Sequence, residues 1–273
     1  MENGLLKNKI KRHYDFVSPY YQKLWGEHIH HGYYLNGKES KEKATENLIK
    51  LIVSKAKIKH HSKVLDIGCG VGGTSIWLAK NYDCDVTGIT ISPVQVRMAE
   101  KASRVIKISN MPHFFVFDAN NLNLKGKYDL LWAVEMISHL EKRKEFFNNC
   151  SRLLKKDGKL CIADWFKKEN LTEKEESKYI EPINDRMMVS LWTSKEYISE
   201  LEKNGLKLIY HKNISNEVKK TWDICLNIIK KKEFWDLAIM HGMEFVNFLK
   251  AFQDMKKGFD SGAFRYEVII FEK

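Results

Sequence analysis

The chain has 273 residues, 44% of them hydrophobic and 12% aromatic, with 15 Gly and 4 Pro. That suffices to bury a core without disulfide or metal staples, and it excludes collagen, long disorder and low-complexity arrays. The 46 Lys and Arg against 35 Asp and Glu leave a net charge of +11; most of the excess is Lys spread along the chain, which suits a solvated surface better than a bidentate phosphate reader.

Residues 5–58 are helical in pattern, interrupted near HIHHGYY (28–34). KVLDIG (63–68) reads as a buried strand and GGTSIWLAKNY (72–82) as a helix. CDVTGIT (84–90) is a second strand. SPVQVRMAEKASRVIK (92–107) is a helix opened by a Ser cap and Pro. HFFVFDA (113–119) and KYDLLWAVE (127–135) are strands. LEKRKEFFNNCSRLLKKDG (140–158) is an amphipathic helix ended by Gly. KLCIADW (159–165) is a fifth strand.

After residue 165 the alternation breaks. A charged helix, an irregular aromatic stretch and the helix SKEYISELEKNG fill 170–204. LKLIYHKNI (206–214) and FRYEVIIFEK (264–273) read as strands. The long helical region 216–258 is rich in Trp, Phe and Met. Repeated strand–helix units imply a doubly wound, mostly parallel α/β sheet with loops gathered on one edge, where ligands bind. The expected organisation is a helical lid over 1–58 and a main domain over 59–273, with cap insertions at about 170–190 and 216–258.

Cys69, Cys84, Cys150, Cys161 and Cys225 are odd in number and form no CxxC pair, so neither a disulfide framework nor a zinc knuckle is indicated. His28, His30 and His31 lack a partner set at ligand spacing beyond Glu27, so no metal site is expected. The N-terminal stretch lacks a signal-peptide core and no run reaches about 20 apolar residues, so a cytoplasmic setting is expected.

The strongest local signal is Asp66-Ile67-Gly68-Cys69-Gly70-Val71-Gly72-Gly73, a strand running through a glycine turn into a helix. Gly permits close backbone approach, and the helix start offers unpaired N–H groups. Gly68, Gly70 and Gly73 satisfy the dinucleotide pattern GxGxxG, but that reading wants an acidic residue where Thr90 stands. Asp66 is instead placed to take the ammonium end of an amino-acid-bearing ligand.

LDIGCGVGG, GITISPVQ (88–95), FDAN (117–120) and YDLLWAVEMISHL (128–140) together resemble class I S-adenosylmethionine-dependent methyltransferases, and within them the tocopherol, sterol and cyclopropane-fatty-acid branch. YDFVSPYYQKLWGEHIHHGYY (14–34) resembles the N-terminal segment of tocopherol methyltransferases. The resemblance implies a Rossmann-like fold and S-adenosylmethionine as cofactor. It would put Asp66, Gly68, Cys69 and Gly70 at the methionine moiety, and Thr90, Ile91 and Gln95 at the ribose and adenine side. Asp118 and Ala119 would flank adenine. Glu135 would stand near the sulfonium, and Tyr14, His31 and Gly32 would belong to a lid over the cofactor.

Methyl transfer needs orientation, desolvation and, for some acceptors, a base. His139 follows the fourth strand and Asp164 ends the fifth, so the two are expected to face one acceptor, with His139 as base and Asp164 holding its tautomer or contacting the acceptor. Trp222, Phe234, Trp235, Met240, Met243, Phe245, Phe248, Phe252 and Met255 form an aromatic and Met-rich stripe expected to line the acceptor site. The leading reading is methylation of a small apolar or aromatic acceptor of lipid, isoprenoid or natural-product type, on oxygen or nitrogen before carbon. The alternative is an RNA-binding or RNA-modifying methyltransferase. Glu135-Met136-Ile137-Ser138 stands where the amino-directed nucleic-acid motif would be, which argues against it.

Overall fold

The structure, a computed structural model, describes residues 4–273, without the side chains of Tyr21, Lys23, Leu24, Trp25, His241 and Glu244. Its strands are β1 (Lys63–Ile67), β2 (Asp85–Thr90), β3 (His113–Val116), β4 (Tyr128–Val134), β5 (Leu154–Lys167), β6 (Lys207–Asn213) and β7 (Phe264–Glu272). They form one sheet in the order β3-β2-β1-β4-β5-β7-β6. Strands β1 to β5 pair in parallel, and β7 runs antiparallel between β5 and β6.

The central strands are apolar on both faces because helices cover both. Successive side chains point to opposite sides. In β4, Leu130 and Trp132 enter one core with Val64, while Leu131 and Ala133 enter the other with Leu65 and Ile67. The first core packs against α2 (Lys41–Ala56), α3 (Gly73–Tyr82), α10 (Lys220–Ile228) and α12 (Met243–Ser261). The second packs against α5 (Arg143–Leu153) and α8 (Ser194–Lys203). Fully burying Leu48, Ile49 or Ile52 of α2 stabilises that docking by roughly 1.5–3 kcal/mol each. Helix α4 (Pro93–Arg104) starts as its sequence implies: the Ser92 hydroxyl accepts from Gln95 N–H, with Pro93 in the first turn.

Helix α1 (Leu5–Trp25) lies against α4. The Ser92 hydroxyl donates to Asp15 of α1 at 2.5 Å. Of the region 1–58, α1 and the segment 26–34 reach the strand ends, whereas α2 belongs to the helical layer on the sheet.

One expectation is corrected. The helix read over 140–158 ends at Leu153, not at Gly158. Leu154 already pairs with Tyr128, and Lys159 pairs with Leu130, so 155–158 protrude from the ladder. Gly158 serves that protrusion: a Cβ there would lie 2.9 Å from the Lys155 carbonyl. The region 216–258 is helical, as expected. It divides into α9 (Ser215–Val218), α10, α11 (Lys232–His241) and α12. Gly242, at φ +71°, turns the chain between the last two. The stretch near 170–190 forms α6 (Glu173–Glu175), a π-helical turn (Glu176–Ile180) and α7 (Glu181–Met187).

Candidate active site

The parallel strands end on one edge. Gly68 follows β1 at φ +76°, a conformation that strains an L side chain. A Cβ on it would lie 2.7 Å from Cβ of Met136. The N–H groups of Gly68 and Cys69 both donate to the Ile89 carbonyl, at 2.8 and 3.0 Å, folding the turn against β2. Gly70 has open space where a side chain would stand. The Glu27 carbonyl and His28 Nδ1 crowd the place that a Gly73 Cβ would take, so the segment 26–34 crosses directly over the helix start.

Two cavities meet at this turn. The larger has a volume of about 210 Å³. An alcove of about 60 Å³ shares Gly68, Gly70 and His30 with it and adds Asp66, Cys69 and His28. Asp66 is buried, accepts from the Ser75 hydroxyl at 2.6 Å, and is pushed by burial up to about 6. His30 Nδ1 lies 2.9 Å from the His31 carbonyl. A carbonyl only accepts, so Nδ1 carries the proton and Nε2 is an acceptor. His30 Nε2 and His28 Nδ1 are buried with no protein partner. Orphaned polar atoms in a small polar alcove call for a polar ligand group. Asp66 and His30 offer two acceptors, which suits an ammonium.

Thr90, Ile91, Gln95, Asp118 and Ala119 line the larger cavity. The Thr90 hydroxyl donates to Gln95 Oε1 at 2.5 Å, and Gln95 Nε2 donates to the Ser18 hydroxyl of α1 at 3.0 Å. Asp118 accepts from Asn120 N–H at 2.9 Å and pairs with Lys7 of α1 at 2.9 Å. Burial opposes its charge, but Lys7 and Asn120 hold its carboxyl below the usual range.

Glu135 follows β4 in the left-handed region, at φ +52°, where a non-glycine residue is strained. Three donors converge on its Oε1: the His31 N–H at 2.7 Å, His31 Nδ1 at 2.9 Å and the Tyr266 hydroxyl at 2.8 Å. Glu135 lines the larger cavity. Burial alone would raise its pKa, but neighbouring His31 and these hydrogen bonds hold it lowered.

His139 also lines this cavity, but not in the expected pairing. Its Nδ1 lies 3.1 Å from the Met188 carbonyl and its Nε2 3.0 Å from the Tyr14 hydroxyl. The carbonyl fixes the proton on Nδ1, so Nε2 accepts from Tyr14. Asp164 does not touch the ring. It is fully buried and accepts from the N–H groups of Ile137, Ser138 and Trp165, at 3.0, 3.1 and 2.8 Å, and from the Ser138 hydroxyl. Burial pushes it up to about 7 against those donors. Asp164 therefore closes the turn that presents His139, and the pairing with the His139 ring expected of it is not formed.

Gly32 is likewise corrected. It does not line either cavity; its N–H donates to the Thr221 hydroxyl, and a Cβ there would lie 2.7 Å from that of Ala44. The aromatic stripe also divides. Trp222, Phe248, Phe252 and Met255 line the larger cavity, Phe234 and Phe245 sit in the core, and Trp235, Met240 and Met243 are exposed.

Besides His30, three groups escaped the sequence reading. Tyr266 comes from β7 and the Met188 carbonyl from the end of α7, and no local pattern ties either to β4. His13 lines the cavity beside Tyr14, with burial lowering it to about 4. Its signal was present: Lys7, Ile10 and Tyr14 recur at helical spacing on the face that carries it.

A family model described as mycolic acid cyclopropane synthetase matches residues 5–262. The chloroplastic tocopherol O-methyltransferase of Arabidopsis thaliana is 25% identical over 98% of this chain and 82% of its own. Among solved structures, a mycolic acid cyclopropane synthase complexed with SAH and CTAB aligns with a TM-score of 0.88 at 16% identity, over 98% of each chain. The [4+2]-cyclase SpnF aligns with a TM-score of 0.86 at 22% identity, over 98% of this chain and 96% of that one. The two structures share the Rossmann-like methyltransferase fold seen here.

Proposed function

The chain belongs to the mycolic acid cyclopropane synthetase family and is an S-adenosylmethionine-dependent methyltransferase; from that premise we propose that it methylates an oxygen or nitrogen of a small apolar or aromatic acceptor of lipid, isoprenoid or natural-product type. The observation that carries this reading is the Tyr14–His139 pair inside a cavity otherwise walled by apolar residues such as Phe248, Phe252 and Met255.

When bound, S-adenosylmethionine supplies a methyl group activated on a sulfonium centre. Asp66 and His30 Nε2 take its ammonium end, and Gly68, Cys69 and Gly70 allow the backbone to approach it. Thr90, Ile91 and Gln95 meet the ribose side, Asp118 and Ala119 the adenine. Tyr14 and His31 cover the acceptor end, with Glu135 beneath.

Burial holds His139 near 4, so its ring is neutral at physiological pH. An acceptor hydroxyl or protonated amine gives its proton to Nε2. It does so by displacing Tyr14, or through the Tyr14 hydroxyl, which hands its own proton to Nε2 while taking the acceptor's. Burial and the carboxylates of Glu135 and Asp164 raise the Tyr14 phenol, so Tyr14 conducts a proton rather than storing a charge. Trp165 and Trp222 help exclude water. Lys7, the only Lys or Arg among the described residues lining the cavity, is already paired with Asp118, which speaks for a small acceptor over RNA.

Glu135 supports a second reading. A charged carboxylate bonded to Tyr266, in a cavity that Trp165 and Trp222 also line, suits a developing carbocation, as carbon methylation of an alkene would create. Incubating the purified protein with methyl-labelled cofactor and two acceptor sets, phenols and amines against unsaturated lipids, separates the two. Label on the heteroatom set supports the proposal. Label confined to the alkenes, with Glu135→Gln inactive and His139→Ala unimpaired, overturns it.

A further inference from the structure

Helix α11 carries more apolar surface than the fold uses. Phe234, Leu237 and Ala238 fill its buried side. Yet Trp235, Ile239, Met240 and Met243 stand 49%, 83%, 65% and 63% exposed on the outer side and at the corner with α12. Clustered exposed apolar side chains of this size mark an interaction surface. We propose that the α11–α12 corner docks onto an anionic phospholipid bilayer, and that the apolar acceptor proposed above reaches the cavity from there; the second clause rests on that reading, the docking itself does not.

The order of side chains along the helix carries the assignment. Exposed Lys230 and Lys231 precede it and Lys232 opens it, Trp235 follows one turn on, Ile239 and Met240 stand near its end, and Met243 opens α12. From Lys232 to Met240 a helix rises about 12 Å, enough to pass a headgroup layer of roughly 5–8 Å and enter the acyl region. Lys at phosphate depth, Trp at the interface and aliphatic residues below is the gradient a bilayer selects. Glu233 and Asp236 lie on the same exposed side, so the attraction comes from the three Lys outweighing them, within a chain of net charge +11.

The corner also leads to the cavity. From Met243, α12 continues to Phe248 and Phe252 in the cavity wall. α1 closes the seam, with Phe16 5.5 Å from Phe245 and His13 4.4 Å from Phe248, ring to ring. An apolar molecule moving along this seam stays out of water.

Vesicle flotation tests the docking. The full chain should float with vesicles of phosphatidylcholine mixed with phosphatidylglycerol, less with phosphatidylcholine alone, and less at high salt. Ile239→Ser, Met240→Ser and Met243→Ser together should cut the bound fraction about tenfold or more, and Lys230→Glu, Lys231→Glu and Lys232→Glu should do likewise. Because all six residues are exposed, calorimetric binding of S-adenosylhomocysteine should be unchanged, which separates lost docking from lost folding. The proposal is overturned if the wild type does not float with the anionic vesicles, or if the serine variant floats as well as the wild type. It is also overturned if the wild type self-associates in ultracentrifugation and the serine changes abolish that, which would assign the corner to a second copy. Flotation without methyl transfer to any apolar acceptor would leave docking standing and remove the acceptor reading.

Discussion

At the end of the cavity proposed to hold the cofactor, Asp66, Gly68 and Gly70 belong to one strand and its turn, and Thr90 and Gln95 bond to each other across another. At the acceptor end, Tyr14, His139, Met188 and Tyr266 arrive from α1, the turn after β4, the end of α7 and β7. The first end is a backbone device, in which the shape of the turn matters more than side-chain chemistry. The second is a meeting of distant side chains, so it depends on α1 being in place. Changes at the two ends should therefore separate cofactor binding from chemistry.

The largest effect should come from Gly68→Val. A branched side chain is strained at φ +76° and collides with Met136. S-adenosylhomocysteine binding should become undetectable by calorimetry while circular dichroism stays native. Retained binding would mean that the turn is not the cofactor's seat.

Phe248→Ala addresses the other end. Phe248 is buried and lines the cavity, so the change should cost about 3–5 kcal/mol of stability and raise the acceptor KM more than the cofactor KM. Equal rises in both would erase the distinction between the ends.

The pH dependence of kcat sharpens it further. A base works when deprotonated, and burial lowers His139 from 6.5 to about 4. As pH falls through 6.5, Nε2 stays free, so kcat should hold and decline only toward pH 4. An acid limb centred near 6.5 would place the base elsewhere.

The smallest effects belong to the rim. Trp235 is half exposed and outside the cavity, so Trp235→Ala should change stability by no more than about 0.5 kcal/mol and leave turnover on a water-soluble acceptor unaltered. Lys7→Ala removes a partly exposed ion pair with Asp118 and should weaken cofactor binding by less than about 1 kcal/mol.

The same contrast explains what could be read without coordinates. The glycine turn was legible because its residues are consecutive and its chemistry is backbone geometry. Thr90 and Asp118 were legible because each stands at a strand end or just past one, and Gln95 because it lies in the first turn of the helix that follows β2. Asp164 misled because its partners are backbone N–H groups at 137, 138 and 165, which no side-chain pattern announces. Gly32 misled because a glycine needed for packing against Ala44 looks, in sequence, like one needed for a ligand. Trp235 and Trp222 read alike in sequence, and only the break between α10 and α11 and the packing of α10 against α12 send one outward and the other into the cavity. Gly158 resembled a helix stop although the strand had already begun at Leu154.

The central claim is that His139 receives the acceptor's proton while the cofactor is held elsewhere. Single-turnover transfer by His139→Ala, with cofactor saturating and its affinity measured on the same sample, tests this most directly. The account predicts a rate lower by about 10² or more with cofactor affinity unchanged. A rate within a few-fold of wild type, or a loss explained by weaker cofactor binding, would contradict it.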